Sequence, residues 1–286
     1  MKPVPFDYRA PRTIREAVTT LATTDADCRV LAGGQSLVPL LNARRVRPDV
    51  VVDINHVTGL DGIHVTPESV TIGAMTRLDA VERDAALRSV LPVLPETAAL
   101  VAHPPIRTRA TFGGSLCHAD PSSELPALVI ALGARLHLRS VRGRRAVAAE
   151  EFFRSAWDTV REPDELLVEV EFVRRPGFRV CFEEVVRGGG FPLVGLCMAV
   201  EAGDDGVVGA ARLAGAGVAD RPLRLRAVER ALVGRRLSGD LGGVLDAVSA
   251  EAVSLADCHG DAAYRRGVLR SLIRRSAERL AGDRNR

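Results

Sequence analysis

The chain has 286 residues, 47% of them hydrophobic, and its 39 basic and 36 acidic side chains leave a formal charge of only +3. That length exceeds one small core and fits two domains; the charge is too small to gather nucleic acid, and the longest apolar run, residues 125–134, is far too short to span a bilayer. Five scattered cysteines, Cys28, Cys117, Cys181, Cys197 and Cys258, never form a CxxC pair, so neither a disulfide framework nor an iron–sulfur or zinc site is written here.

The first residues lack the apolar stretch of a signal peptide, and the expected setting is reducing and cytoplasmic. Lys2 is the only lysine, which reads as mutational bias in the genome. In chain order, Ile14, Val18 and Leu21 at near-helical spacing predict a short helix, with Thr13 and Glu16 as a capping box. Residues 28–31 form a brief buried strand that delivers the first of two glycine pairs, Gly33 and Gly34. Residues 37–45 read as a helix and 50–54 as a second buried strand, giving a strand, helix, strand unit with the glycines at its first corner.

From Gly62 the pattern shortens to strands 63–65 and 70–72 joined as a hairpin, and a subdomain begins near Val57. Residues 78–87 and 92–101 read as helices. Between His103 and Arg109 two prolines argue for an irregular arm, which leads to the second glycine pair, Gly113 and Gly114. Residues 124–134 are helical with Ser122 and Ser123 available as caps; strands follow at 135–139, 145–148 and 166–172. Residues 174–177 are the expected domain joint. Beyond it, strand candidates at 178–186, 193–201 and 207–213 sit at hairpin spacing, and the remainder, 223–232, 241–256 and 262–280, is helical. The last helix interleaves arginines with Val268, Leu269, Leu272 and Ile273, an amphipathic face.

Chemistry concentrates at the two glycine pairs. Each follows an apolar run and leads at once, or one residue on, to a hydroxyl: Leu31, Ala32, Gly33, Gly34, Gln35, Ser36, Leu37 in the first, Thr111, Phe112, Gly113, Gly114, Ser115 in the second. Such backbones turn sharply and offer amide N–H groups to an anion without a Cβ in the way. Glycine-rich turns that bind nothing are common, but two of similar pattern suggest two lips of one nucleotide site. Neither fits the GxGxxG of a Rossmann turn or a P-loop. Past the second pair, Asp120 and Glu124 flank two serines at a helix start, and carboxylates accept hydrogen bonds from ribityl or ribose hydroxyls. Asp120, Glu124 and Ser115 could form a hydrolase-like cluster, yet no strained Gly-x-Ser-x-Gly elbow accompanies them. The six histidines are dispersed, with only His103 and His118 near the second pair; none reads as a metal ligand and Cys117 reads as a small buried hydrophobe.

The residues Ala32 to Pro39, Asp53 and Asn55, Ile106 and Arg107, Thr111 to Pro121 and Glu124 to Pro126 together resemble the FAD-binding medium subunit of molybdenum hydroxylases, a family that includes aerobic carbon monoxide dehydrogenase and, as a relative, xanthine dehydrogenase. The likeness extends over essentially the whole chain. It implies an α+β fold: an FAD-binding domain of vanillyl-alcohol-oxidase (PCMH) type at 1–175, with subdomains at about 1–56 and 57–175, then a C-terminal domain at 176–286 of a three-stranded antiparallel sheet plus a helical bundle. It also implies that Ala32 to Ser36 and Thr111 to Ser115 hold the FAD diphosphate and flank the flavin, with Leu31 and Leu37 beside them. A side chain at Gly33 or Gly114 would then fill diphosphate space. Glu124 stands where relatives carry an aspartate that contacts the cofactor, and Leu167 matches a position near the flavin or adenine.

The sequence departs from the family at Pro105 and Phe112. It also lacks a lysine near Glu183 or Glu184 and an aspartate near Gly190, residues near the flavin in relatives. The expected function is electron transfer in an oxidoreductase complex: molybdopterin on a large partner, two [2Fe–2S] clusters on a small one, FAD here, and a quinone, NAD, oxygen or another acceptor beyond. No catalytic residue and no metal ligand is assigned to this chain, and relatives assemble as dimers of heterotrimers. Two alternatives stay open, a free-standing FAD oxidoreductase and a non-catalytic structural subunit with weakened FAD binding.

Overall fold

The computed structural model describes residues 2–187 and 192–282; Gly190 lies outside them. The apolar runs Cys28–Leu31 and Val50–Asp53 pair in parallel, with the helix Leu37–Asn42 on their crossover. Parallel pairing requires such a crossover, and the glycine-containing corner begins it. Asp7–Arg9, which the periodicity does not reveal, pairs in parallel on the other side, making Val50–Asp53 the central strand of three. All four of its residues are buried, whereas the flanking strands are largely half-buried or exposed. Helix Ile14–Ala22 covers this sheet through Ala17, Val18 and Leu21; the Thr13 hydroxyl caps it by accepting the Glu16 N–H.

A second, antiparallel sheet has the order Ile63–Val65, Ser69–Gly73, Leu166–Val173, Arg135–Ser140, Gly143–Ala148. Its central strand, Leu166–Val173, joins two hydrophobic clusters: Leu166 and Val168 pack toward the first sheet and Leu167 toward the larger core, and after the register shift between Leu167 and Glu169 the alternation changes phase, so that Val170 and Phe172 also face the larger core. A third sheet, order Phe178–Val186, Pro192–Ala202, Val208–Ala216, Leu223–Arg224, adds a two-residue fourth strand to the expected three. Its other face carries the C-terminal helices. Leu269, Leu272, Ile273, Ala277 and Leu280 of Ala262–Gly282 are fully buried there.

Helix Glu124–Leu132 is apolar almost all round because it lies between the core of the five-stranded sheet and strands Pro192–Ala202 and Val208–Ala216. Arg212 donates to the Ile130 and Ala131 carbonyls at its C-terminus, at 3.0 and 2.7 Å, so a cation from the third sheet caps the helix. Arg279 likewise bridges Glu96 (2.8 Å) and Glu183 (3.2 Å).

Three expectations are corrected. The segment between His103 and Arg109 contains a single helical turn, Pro104–Arg107, because prolines in a first turn lack only N–H groups that would be unpaired anyway. The helix expected over 78–87 breaks at Asp84, whose extended backbone and side chain cap a second helix, Ala85–Val90, by accepting the Leu87 N–H at 2.7 Å. The second glycine pair is not a bend: it lies inside the helix Phe112–His118.

Candidate functional site

The two glycine segments meet. The backbone of Gly33 lies so close to the run-in of the second segment that an added Cβ would fall 2.2 Å from the Arg109 carbonyl oxygen and 2.8 Å from Ala110 Cα. At Gly114 an added Cβ would stand 2.6 Å from the Thr111 hydroxyl and 3.6 Å from Ala32 Cβ. The space a side chain would take at either position is therefore protein, which corrects the expectation that it is diphosphate space.

Their backbones have opposite hydrogen-bonding states. In the second segment Phe112 N–H donates to Thr76 O (2.9 Å), Gly113 N–H to Ala74 O (2.8 Å) and Ser115 N–H to Thr111 O (3.0 Å). Gly114 N–H donates to the Thr111 hydroxyl at 3.1 Å, an N-cap. Every amide from Phe112 to Ser115 is already engaged. In the first segment no N–H of Ala32, Gly33, Gly34, Gln35, Ser36 or Leu37 donates to an acceptor among the described residues. Gly33 is buried and the other five are half-buried. Backbone N–H groups away from water are almost always paired in a folded protein, and six consecutive ones without a protein acceptor form a row of donors that could receive an anion. Gly34, at φ +75°, supplies the left-handed bend the row needs.

A polar network holds this row from behind. The Tyr8 hydroxyl donates to Asp53 Oδ2 (2.5 Å), and Asn55 donates to Asp53 Oδ1 through its backbone N–H (2.9 Å) and Nδ2 (2.6 Å). Asn55 Nδ2 also reaches the Ala32 carbonyl (2.8 Å), while Asn55 Oδ1 accepts from Arg77 Nη2 (2.7 Å) and Arg77 Nη1 donates to the Arg109 carbonyl. Burial raises the Asp53 pKa, but the Tyr8 hydroxyl and the two Asn55 donors outweigh it and hold the carboxyl below its ordinary range. Burial and nearby Arg109 lower the Arg77 pKa. Tyr8 and Arg77 have no role in the sequence reading, and Asn55 enters it only with Asp53 as part of the family resemblance; their contacts run across 22 to 45 residues of chain, which no local pattern announces.

The other sequence-assigned residues divide. Leu31 ends its strand, half-buried, and Leu37 opens the helix after the row. Phe112 is fully buried and meets Phe172 edge-on at 6.2 Å, so its side chain belongs to the core. Leu167 is also a core residue, beside a register shift in its strand. Asp120 Oδ1 accepts the Ser122 N–H at 2.9 Å, closing the turn before helix Glu124–Leu132. Ser123 stands at that helix's N-cap with no capping bond; its hydroxyl instead donates to Glu124 Oε2 at 3.4 Å.

Glu124 is only 3% exposed, and burial raises its pKa to about 7. Glu184 is also raised to about 7, by burial and then by the Glu124 charge, and its Oε2 has no hydrogen-bond partner among the described residues. Strand alternation separates Glu183 from Glu184. Glu183 pairs with Arg275 (2.6 Å) and Arg279 on the last helix, leaving Glu184 as the one that senses Glu124. Burial pushes the Cys117 thiol up and, against a smaller opposing effect of Asp120, the His118 imidazolium down. Both are therefore neutral near pH 7.

Two family models match the chain in succession. The family described as the FAD binding domain in molybdopterin dehydrogenase matches residues 4–172, and the CO dehydrogenase flavoprotein C-terminal domain matches residues 182–280. Caffeine dehydrogenase subunit beta of Pseudomonas sp. (strain CBB1) is 38% identical over 99% of this chain and 97% of its own length. The carbon monoxide dehydrogenase medium chain of Afipia carboxidovorans is 35% identical over 98% of each. Among solved structures, carbon monoxide dehydrogenase from Hydrogenophaga pseudoflava superposes with a TM-score of 0.93 at 33% identity, covering 98% of this chain and 99% of that one.

Proposed function

Since the chain belongs to the family of FAD-binding medium subunits of molybdenum hydroxylases of the carbon monoxide dehydrogenase type, we propose that it is the electron-transfer subunit of such a complex. The observation that carries the reading is the row of six open amides opposite a segment whose amides from Phe112 to Ser115 are all engaged. The first segment then holds the FAD diphosphate, and the second is the wall against which it closes. Asp120 and Glu124 accept from ribityl or ribose hydroxyls, and Leu31, Leu37, Ser115 and Leu167 complete the surroundings. The chemistry FAD supplies when bound is reversible electron storage, between [2Fe–2S] clusters on a small partner subunit and an external acceptor.

This chain's residues orient and shield. The amides neutralise the diphosphate charge without a lysine, the network of Tyr8, Asp53, Asn55 and Arg77 fixes the row, and Phe112 with Phe172 keeps water from the wall behind it. Molybdopterin belongs on a large partner subunit, so this chain needs no nucleophile and no metal ligand of its own; the assembly expected is a dimer of heterotrimers. Expression of the chain with its neighbouring reading frames tests the reading. A yellow complex of three different subunits, with stoichiometric FAD on this one, is the expected result. A flavin-free chain, or one purified alone with full turnover, would sink it.

A further inference from the structure

Row and network meet at one atom, the Ala32 carbonyl oxygen. In a trans peptide the C=O of one residue and the N–H of the next point in opposite directions. Asn55 Nδ2, 2.8 Å from that oxygen, pulls the carbonyl toward the protein and so turns the Gly33 N–H away from it. The same device recurs one peptide on, where Gln35 Nε2 holds the Gly33 carbonyl at 3.1 Å and turns out the Gly34 N–H. Gln35 is part of the segment it orders; Asn55 is not, and is itself locked. Arg77 can only donate, so it fixes Oδ1 on its side, and Asp53 can only accept, so it fixes Nδ2 on the other. The amide cannot flip.

We propose that Asn55, locked by Arg77 and Asp53, is a positioning residue that sets the direction of the amide row at residues 32–37 before any ligand arrives. The proposal rests on the FAD reading above and adds to it which groups outside the segment pre-organise the diphosphate site. Arg77 adds a second constraint, because its other nitrogen donates to the Arg109 carbonyl, the group packed against Gly33. One guanidinium thus spaces the row from the wall.

The test is titration of the full-length chain, stripped of flavin, with FAD, ADP and riboflavin as separate probes. ADP presents the diphosphate without the flavin, and riboflavin the reverse. Asn55→Asp keeps the shape but replaces the donor by an acceptor facing the Ala32 carbonyl. Affinity for FAD and ADP should fall roughly ten- to a hundred-fold, as for an orienting hydrogen bond turned repulsive, with riboflavin unchanged. Arg77→Met should show the same split more weakly, and Arg77→Lys should recover part of it. Equal losses for ADP and riboflavin would mean general damage and overturn the proposal, as would Asn55→Asp and Arg77→Met variants that both bind ADP like the wild type. A wild-type chain that takes up neither FAD nor ADP overturns the functional reading itself and the positioning role with it.

Discussion

Two segments alike in sequence, each ending an apolar run in a glycine pair, use their glycines for opposite purposes. In the first, Gly34 adopts a backbone conformation that side chains resist and Gly33 lets a neighbouring strand of chain pass, so that a row of N–H groups stays open. In the second, the glycines lie in an ordinary helical turn and are small because something is pressed against them. An added Cβ on Gly113 would meet Ala74 Cβ at 2.6 Å and Ala74 O at 2.9 Å. Composition reports that a backbone is close to something. It does not report whether that something is a ligand or the protein.

The contrast breaks most visibly at Gly113. Gly113→Val would drive two methyl groups into Ala74 and the strand end behind it, where backbone as well as side chain must move. A loss of about 3 kcal/mol or more is expected, the upper end for overpacking, measured by urea unfolding of the apo chain. A loss below about 1 kcal/mol would mean that this segment is not the rigid wall described here.

The carboxylates beside the two segments give effects of opposite sign with pH. Glu124, beyond the second, has its pKa raised from 4.5 to about 7 by burial. The fold favours its protonated form, so its stabilising contribution is complete below about 4.5 and is lost as pH rises through about 7, on the order of 2–3 kcal/mol. Asp53, behind the first, has its pKa lowered, so its contribution is present above the ordinary carboxylate range and is lost as pH falls through the depressed value. Apo-chain stability should therefore decline from about pH 5 to pH 8 and fall separately on the acid side. Glu124→Gln should reduce the first decline, leaving the part that Glu184, also raised to about 7, contributes, and Asp53→Asn should flatten the second alone. A decline between about pH 5 and 8 that is undiminished in Glu124→Gln would place its origin elsewhere.

These differences also mark what the sequence discloses. Strands 28–31, 50–54 and 166–172, the hairpins, and the order of sheets and helices follow from hydrophobic period and turn residues, and the structure has them within a residue or two at most ends. Period is a local property; strands 50–54 and 166–172 are buried as it indicates, whereas 28–31, expected to be buried, is half-buried or exposed because it lies at an edge of its sheet. The helical turn at Pro104–Arg107 and the helix Phe112–His118 were missed because proline and glycine count against helix interiors, while here the prolines occupy a first turn and Thr111 caps the glycines. The site was half legible. Its loops were marked by glycine, but which of them keeps open amides is decided by the partners Thr76 O, Ala74 O and Thr111 Oγ1, and two of those lie about 36 residues away in the chain.

Gly34→Ala sharpens the comparison from the ligand's side. A residue with a Cβ at φ +75° costs about 1–2 kcal/mol, and the new atom would sit 3.1 Å from Val38 Cγ2. Stability should fall by about that amount while FAD retention falls much further, because the bend that spaces the amides relaxes toward a conformation alanine prefers. Equal retention in mutant and wild type would show that the bend is not what the ligand reads.

The smallest expected effect is the most discriminating. Thr111→Ala removes the hydroxyl that accepts the Gly114 N–H, leaving a buried helix end without its cap at a cost of about 1 kcal/mol, while Thr111→Ser keeps the oxygen and should restore it. Removing the cap also frees one amide in the wall, opposite the row. If the first segment alone takes the diphosphate, FAD affinity in Thr111→Ala should stay within about twofold of wild type, since a factor of ten corresponds to about 1.4 kcal/mol of binding energy and no such contact is lost. If both segments bind as equal lips, freeing the Gly114 N–H should tighten FAD instead, and the asymmetry on which the site is argued would be gone.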